Sequence, residues 1–306
     1  MKLVESKAEL IQQEEGLSGL YRHIELCGRT CYKSEDKITD DSAPIFVDNL
    51  IKRGHTAMLE HGTVYLEVAN EAVGFDWISK YANNPYSRVI PYTNEVGKFW
   101  CVTTNLRVIH ENGWDKDLDY LVEPNEHHVK RYTFKLTTSI GVTRELNRHR
   151  IHSIAEQSTR YCNYSKDKFD NQISFCKPSW LVLNTGEYEC LVMNDRSVVI
   201  AGDGFLKDFQ HSMDEETVFL DFCLYSEQHY MKLIKAGWAP QQARELLPLC
   251  TATEIIHTAF EDDWKHFFDL RYFEKTGKVH PNMLELTTKM KEECEKAGIW
   301  TTILEK

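Results

Sequence analysis

The chain has 306 residues, a hydrophobic fraction of 42% and a formal net charge of −11 at pH 7. This length is enough for one large domain or two modest ones, and the acidic charge argues against broad, sequence-independent binding to nucleic acid. The first residues are not followed by an apolar signal core, and no run of about eighteen apolar residues occurs. We therefore expect a cytoplasmic protein with no membrane-spanning segment and no nucleic-acid partner.

In the N-terminal third, which reads as largely helical, residues 41–53 have apolar side chains at helical spacing. Asp41 or Ser42 could cap this helix and Gly54 could end it. Further along the chain, some segments alternate apolar and polar residues, and others have the composition of extended strands. Three segments are predicted to be strands on this basis: 63–69, 98–104 and 130–140. A short helix is predicted to follow over 142–147.

The remaining segments are either polar or helical. Residues 82–97, 111–128 and 166–204 are polar and turn-rich, which favours loops inserted between core elements. Four helices are predicted in the C-terminal third: 214–235, 240–247 (opened by Pro240 and stopped by Pro248), 259–273 and 281–296. We therefore predict one α+β domain over 1–306, with insertions near 82–128 and 166–210.

Residues 148–161 are the most unusual stretch of the chain. Arg-His-Arg at 148–150 is followed, after seven residues, by Ser158 and then by Arg160 and Tyr161. Arginine presents a planar fork of donors that matches phosphate. Serine adds a neutral donor, and Glu156 can accept from a sugar hydroxyl or a base. The segment indicates a site for an anion that also carries polar groups, such as a nucleotide.

This stretch resembles the signature of the flavin-dependent thymidylate synthases, whose longer form is Arg-His-Arg-x-x-Ser-x-Asn-Glu-x-Ser-x-Arg-Tyr. It departs from that form at Ala155, where the family usually has Asn. The matched positions are Arg148, His149, Arg150, Ser153, Glu156, Ser158, Arg160 and Tyr161.

Three other segments of the chain resemble motifs of the same family. Residues 53–61 resemble a Gly-His-x-x-x-x-Glu-His segment, which maps the family's flavin-adjacent histidine onto His55. Residues 242–249 resemble Ala-Arg-x-x-Leu-Pro-Leu, which gives Arg244 a nucleotide contact. Residues 267–271 resemble Phe-x-x-Leu-Arg, whose arginine polarises the pyrimidine, and this maps onto Arg271. Three residues before Arg148, Glu145 stands where the family often has Gln facing the nucleotide.

The resemblance implies a mostly antiparallel sheet flanked by helices, a homotetramer, and the reductive methylation of dUMP to dTMP. FAD would be the cofactor, and methylenetetrahydrofolate and NADPH the co-substrates. The implied catalytic residue is Arg271. The implied flavin-binding residues are His55, Arg148, His149, Arg150, Glu156 and His266. The implied dUMP-binding residues are Arg148, Glu156, Gln157, Ser158, Thr159, Arg160, Arg244 and Arg271.

Several absences agree with this interpretation. No Gly-x-Gly-x-x-Gly and no Walker loop occurs, so a Rossmann-type flavin site is not indicated. Flavin-free thymidylate synthases use a nucleophilic cysteine that usually follows proline, and none of the nine cysteines here does so. The cysteines also form no Cys-x-x-Cys pair, which argues against a disulfide scaffold or a zinc ribbon.

Two alternatives from other classes stay open at this point. The basic segment could belong to a nucleotide- or RNA-binding module without chemistry, which would show a strong salt dependence of RNA affinity. His149, His152 and Glu156 could instead be the metal ligands of a nucleotide hydrolase, since histidines at i,i+3 can share a helix face. Otherwise we expect no metal.

Overall fold

The computed structural model describes residues 1–192, 198–202, 205–208 and 214–305. Part of the predicted insertion near 166–210 therefore lies outside the described residues. The described helices are α1 (Gly16–Tyr32), α2 (Ser42–Lys52), α3 (Phe75–Ala82), α4 (Leu106–Glu111), α5 (Ile140–Leu146), α6 (Glu215–Lys235), α7 (Pro240–Ala243), α8 (Glu261–Arg271), α9 (Pro281–Lys296) and α10 (Trp300–Glu305).

The described strands are β1 (Lys2–Val4), β2 (Lys7–Ile11), β3 (Thr63–Ala69), β4 (Arg88–Thr93), β5 (Lys98–Asn105), β6 (Arg131–Ser139), β7 (Ser153–Glu156), β8 (Ser174–Cys176), β9 (Gly186–Val192), β10 (Val198–Gly202), β11 (Phe205–Asp208) and β12 (Ala252–Phe260). They form three sheets. All described strand pairs are antiparallel except β1 with β8, which is parallel. The predicted mixed α+β class with mostly antiparallel sheets is confirmed.

The central sheet has the order β2-β6-β12-β7. One face packs against α8 and α9, where Leu136, Ile255 and Trp264 belong to one buried cluster. On the other face, Cys27 of α1 packs against Ala155 and Ile256. The sheet is thus covered on both sides, and the position that is Asn in the family signature is filled here by a small residue inside an apolar contact.

The second sheet, β3-β5-β4, corrects the prediction of loops over 82–97. Residues 88–93 form β4, which pairs with β5 and lies at the edge of the sheet. Pro91 made this segment look like a loop, but an edge strand tolerates a residue that cannot donate a ladder hydrogen bond. The turn-rich character predicted for 111–128 is closer to the structure, which has a 3-10 turn over Asp115–Tyr120 and an isolated bridge from Leu121 to Leu66.

The third sheet, β11-β10-β9-β1-β8, corrects two predictions. Residues 2–4 form β1 in this sheet, and residues 7–11 form β2 in the central sheet, so the N-terminal third is not purely helical. The segment 166–204 contains β8, β9 and β10 rather than loops alone. Gly202 lies opposite Tyr188 in this sheet, and a Cβ on Gly202 would overlap the Tyr188 ring. A short glycine-containing strand of this kind resembles a loop in sequence.

The strand β12 was missed, and the helix predicted over 259–273 begins only at Glu261. Eight of the nine residues of β12 are buried. Because the strand is covered on both faces, it lacks the alternation that reveals a half-buried strand. The helix predicted over 240–247 ends at Ala243, and a 3-10 turn over Arg244–Leu246 follows.

Several other boundaries agree with the predictions. The strand predicted over 63–69 and the helix predicted over 281–296 have the bounds expected from the sequence. Within the described part of the chain, no helix combines the length and the apolar character that crossing a membrane would need.

Candidate functional site

The Arg-His-Arg segment lies in the turn that follows α5. The Ser139 hydroxyl caps this helix by accepting from the Val142 N–H at 3.3 Å. The turn buries His149 and leaves Arg148 and Arg150 exposed. Neither guanidinium forms a hydrogen bond or an ion pair with another described residue. Two adjacent unneutralised cations on a fixed turn can accept an anion without first breaking an internal ion pair.

Arg271 lies in the last turn of α8 and points at the same turn. Its Nη1 donates to Glu145 Oε2 at 2.9 Å and its Nη2 to the Glu145 carbonyl at 3.2 Å. Its Nε donates to His149 Nε2 at 3.2 Å. The structure therefore brings Arg271 directly beside the Arg-His-Arg segment, although the two are more than a hundred residues apart in sequence.

His149 is neutral in this arrangement. Burial, and then the positive charge of Arg271, lower the pKa of His149 to about 4. Because Nε2 accepts from Arg271, the ring proton belongs on Nδ1. The ring packs edge-on against Phe267, with centroids 4.8 Å apart, while the exposed His266 lies 6.5 Å away. The family resemblance assigns both His149 and His266 to the flavin, and in the structure their rings are neighbours.

Glu156 ends β7 and contacts the same helix, α5. Its Oε1 accepts from the Thr143 hydroxyl at 2.9 Å and its Oε2 lies 3.5 Å from the Asn147 amide. Burial is the largest influence on this carboxyl and raises its pKa. Neither Thr143 nor Asn147 was singled out from the sequence.

A second basic group is formed by residues 158–160 and Arg244. Arg244 Nη1 lies 3.5 Å from the Thr159 hydroxyl, and Arg160 Nε donates to Gln241 Oε1 at 3.0 Å. The Ser158 N–H is held by the carbonyl of Cys31 at 2.8 Å. These two arginines come from distant parts of the sequence, and both are exposed.

Gln157 differs from its neighbours. Its side chain is buried, and its N–H donates to the Glu254 carbonyl at 2.8 Å. It lines a separate cavity of about 260 Å³ together with Lys33 and Glu254. The structure therefore does not place the Gln157 side chain with Arg160 and Arg244.

His55 lines a cleft of about 630 Å³ between α1 and α2. Tyr161, which ends the signature, reaches the same cleft and packs on Tyr32 with ring centroids 5.5 Å apart. Arg29 lies 4.8 Å over the ring of Phe46 and lines the cleft as well. Sequence reasoning missed Arg29 and Tyr32 of α1 and Phe46 of α2 as cleft residues, because neither helix carries a motif and only packing brings them to the cleft.

Within the described residues, no hydrogen bond or ion pair joins the Arg271 group to the Arg244 group. In the same ranges, no set of three or more His, Cys, Asp or Glu side chains is arranged to hold a metal ion. The histidine and carboxylate proposed as metal ligands have other contacts. His152 Nδ1 lies 3.3 Å from His257 Nδ1, while Glu156 binds Thr143.

The chain belongs to the family described as thymidylate synthase complementing protein, whose model matches residues 121–297. This confirms the resemblance stated from the signature. The family match includes every predicted site residue except His55.

Curated relatives carry the name flavin-dependent thymidylate synthase. One from a Synechocystis species is 27% identical over 150 residues, or 48% of this chain. Another from Kosmotoga olearia is 29% identical over 160 residues, or 50% of this chain. The chain spans about 60% of the length of each of these relatives.

One solved structure similar to the chain is a UMP/dUMP methylase, PolB, from Streptomyces cacaoi, bound with 5-Br dUMP. The identity is 15% and the TM-score 0.41, and the comparison covers 98% of this chain and 92% of that one.

Proposed function

We propose that this protein is an FAD-dependent thymidylate synthase. It would convert dUMP to dTMP in the cytoplasm, with methylenetetrahydrofolate as carbon donor and NADPH as reductant. The observation that carries the proposal is the contact between Arg271 and the Arg-His-Arg turn, beside two exposed arginines that no described residue neutralises.

The residues present fit a flavin dinucleotide. Arg148 and Arg150 supply the positive charge that a pyrophosphate requires, without a glycine loop. The cleft at His55 offers aromatic and basic walls suited to a flat, polar ring system. Glu156 would contact both the flavin and the nucleotide, and His149 and His266 would contact the flavin. When bound, the flavin supplies the hydride chemistry, while the chain supplies binding, orientation and electrostatics.

The proposed roles toward dUMP follow from charge. Ser158, Thr159, Arg160 and Arg244 hold the phosphate and sugar, with Arg148 shared between dUMP and the flavin. Glu156 accepts from a ligand hydroxyl or ring N–H. Arg271 directs N–H donors at the pyrimidine and stabilises negative charge that develops there. Since the Gln157 side chain is buried, its contribution is its carbonyl oxygen.

We further propose a homotetramer in which each site combines residues of several subunits. The Arg271 and Arg244 groups are not joined within the described chain, so a partner could bring the second group to the first. Exposed apolar side chains on α6 support an interface. Val218, Phe222 and Tyr225 are 49%, 55% and 57% exposed and follow one helix face.

The first test is the visible spectrum of the purified protein, with identification of any chromophore released on denaturation. We expect the absorption of an oxidised flavin and release of FAD, or uptake of added FAD by a colourless preparation. A protein that stays colourless and does not bind added FAD would contradict the proposal. Salt-dependent RNA affinity in such a protein would instead support the RNA-binding alternative.

A further inference from the structure

Arg271 donates three hydrogen bonds to described residues of its own chain. A guanidinium has five N–H groups. Three of them are used within the chain, by Glu145 Oε2, the Glu145 carbonyl and His149 Nε2. Among the described residues, nothing accepts from the second N–H of Nη1 or of Nη2, so these two donors remain for a ligand. Because the contacts come from two sides, they fix the position of the group and the rotation of its plane.

Glu145 provides two of these three contacts, and its carboxylate accepts from no other described residue. The side chains of Arg271 and Glu145 are 21% and 33% exposed, so water screens the pair only in part. Glu145 also lines an open groove of about 1110 Å³. The described lining of this groove contains Glu145 and Glu215 but no lysine or arginine. Glu145 therefore meets no lysine or arginine in this lining, and its ion-pair partner among the described residues is Arg271.

We propose that Glu145 is a positioning residue that orients Arg271 and cancels its charge. The pyrimidine of the ligand then meets two directed N–H donors of a guanidinium whose own charge is offset by Glu145. The inference rests on the proposed function, because it takes Arg271 to face the base. It predicts that the Arg271–Glu145 pair favours the base ionised at N3 less strongly than an unpaired arginine at the same position would.

The test compares dUMP with 5-fluoro-dUMP at mildly alkaline pH, using calorimetry on the protein loaded with FAD. Fluorine makes the N3–H more acidic, while the phosphate and sugar are unchanged. The ratio of the two affinities therefore isolates the charge on the base. Glu145→Gln keeps an acceptor oxygen and removes the negative charge. We expect this variant to shift the ratio toward 5-fluoro-dUMP by roughly tenfold.

Glu215→Gln is the matched control. It removes the same charge from the same groove without touching Arg271, so its affinity ratio should equal that of the wild type. Glu145→Asp keeps the charge and should also leave the ratio near the wild-type value. An unchanged ratio in Glu145→Gln, or an equal shift in Glu215→Gln, would overturn the proposal.

A wild-type protein that binds neither nucleotide would refute the proposed function instead. The contact can then be tested without a ligand, through the rate at which phenylglyoxal modifies Arg271, followed by peptide mass spectrometry with Arg22 as internal standard. Glu145→Ala should accelerate the modification several-fold, because the guanidinium loses its main partner. An unchanged rate would show that Glu145 does not hold Arg271 and would overturn the inference.

Discussion

At the scale of single residues, the arginines of the candidate site differ in how they are held. Arg271 is fixed by three contacts to its own chain, whereas Arg148 and Arg150 have none from described side chains. An arginine without an internal partner binds an anion at little cost in free energy, because no internal ion pair has to be broken. The two exposed arginines are therefore suited to binding, and the fixed one is suited to orientation.

Replacing Arg148 and Arg150 together by Gln should weaken FAD binding by about 100-fold or more, because a hydrogen bond to a charged group contributes about 1.5–3 kcal/mol. Fluorescence titration of the apoprotein with FAD measures this. Arg22→Gln is the control, since the partners of Arg22 among the described residues are the exposed Glu14 and Ser18. Equal FAD affinity in the double variant and the control would remove these arginines from the flavin site.

At the scale of elements, the candidate site depends on the β6–β12 pair. β6 leads directly into α5 and the Arg-His-Arg turn, and β12 leads directly into α8 and Arg271. The two strands pair over nine residues, from Ala252 with Ser139 to Phe260 with Arg131. This register, together with the packing of α8 on the sheet, brings two distant segments of sequence to one place.

Truncating a buried side chain in the β6–β12 pair should lower the free energy of unfolding. Ile255 is fully buried opposite Leu136, so Ile255→Ala should lower the free energy of unfolding by about 2–5 kcal/mol. Ile45→Ala is the matched control, because Ile45 is 65% exposed and its change should stay within about 0.5 kcal/mol. Urea denaturation followed by circular dichroism compares them. A loss in Ile255→Ala no larger than that of the control would contradict the packing described for β12.

At the scale of the whole molecule, five of the six buried histidines in the described chain link the candidate site to the interior. Burial is the largest cause in each case. It lowers the pKa of His23 and His149 to about 4, that of His61 and His257 to about 3, and that of His152 well below its usual value. All five are therefore uncharged in the folded protein at neutral pH.

These histidines set a pH dependence of stability. The unfolded chain binds protons at a pKa of about 6.5, and the folded chain only near 3 to 4. Their contribution to stability is thus present above about pH 6.5 and is lost as the pH falls toward these lower values. Burial is the main cause that raises the pKa of Asp263 to about 6. The contribution of Asp263 to stability therefore increases as the pH falls, opposite to that of the histidines. Urea unfolding should show a steep loss of stability below pH 6.5.

His257→Gln provides the comparison for this prediction, since it removes one of the buried titrating groups. The decline of its unfolding free energy between pH 6.5 and pH 5 should be shallower than that of the wild type, whatever its stability at neutral pH. Parallel pH profiles would show that His257 does not contribute.

Much of the site could be predicted from sequence because its residues lie in short motifs. The motifs identify the candidate residues, whereas the contact between Arg271 and the Arg-His-Arg turn and the acceptor for Arg271, Glu145, required the fold. The cleft residues Tyr32 and Arg29 could not be predicted, because helix packing alone places them beside His55. The fold was less predictable where strands are buried on both faces or lie at an edge. β12 and β4 lack the alternation on which strand prediction depends.

The release of tritium from dUMP labelled at C5 tests the central proposal most directly. Methylation at C5 replaces the hydrogen there, so turnover with FAD, methylenetetrahydrofolate and NADPH should release tritium to water and form dTMP in equal amounts. Arg271→Ala should abolish both while retaining bound flavin, since Arg271 is assigned to the pyrimidine and not to the cofactor phosphates. A wild-type protein that binds FAD and dUMP yet releases no tritium would contradict the proposed reaction, and near-normal turnover in Arg271→Ala would contradict the role given to that residue.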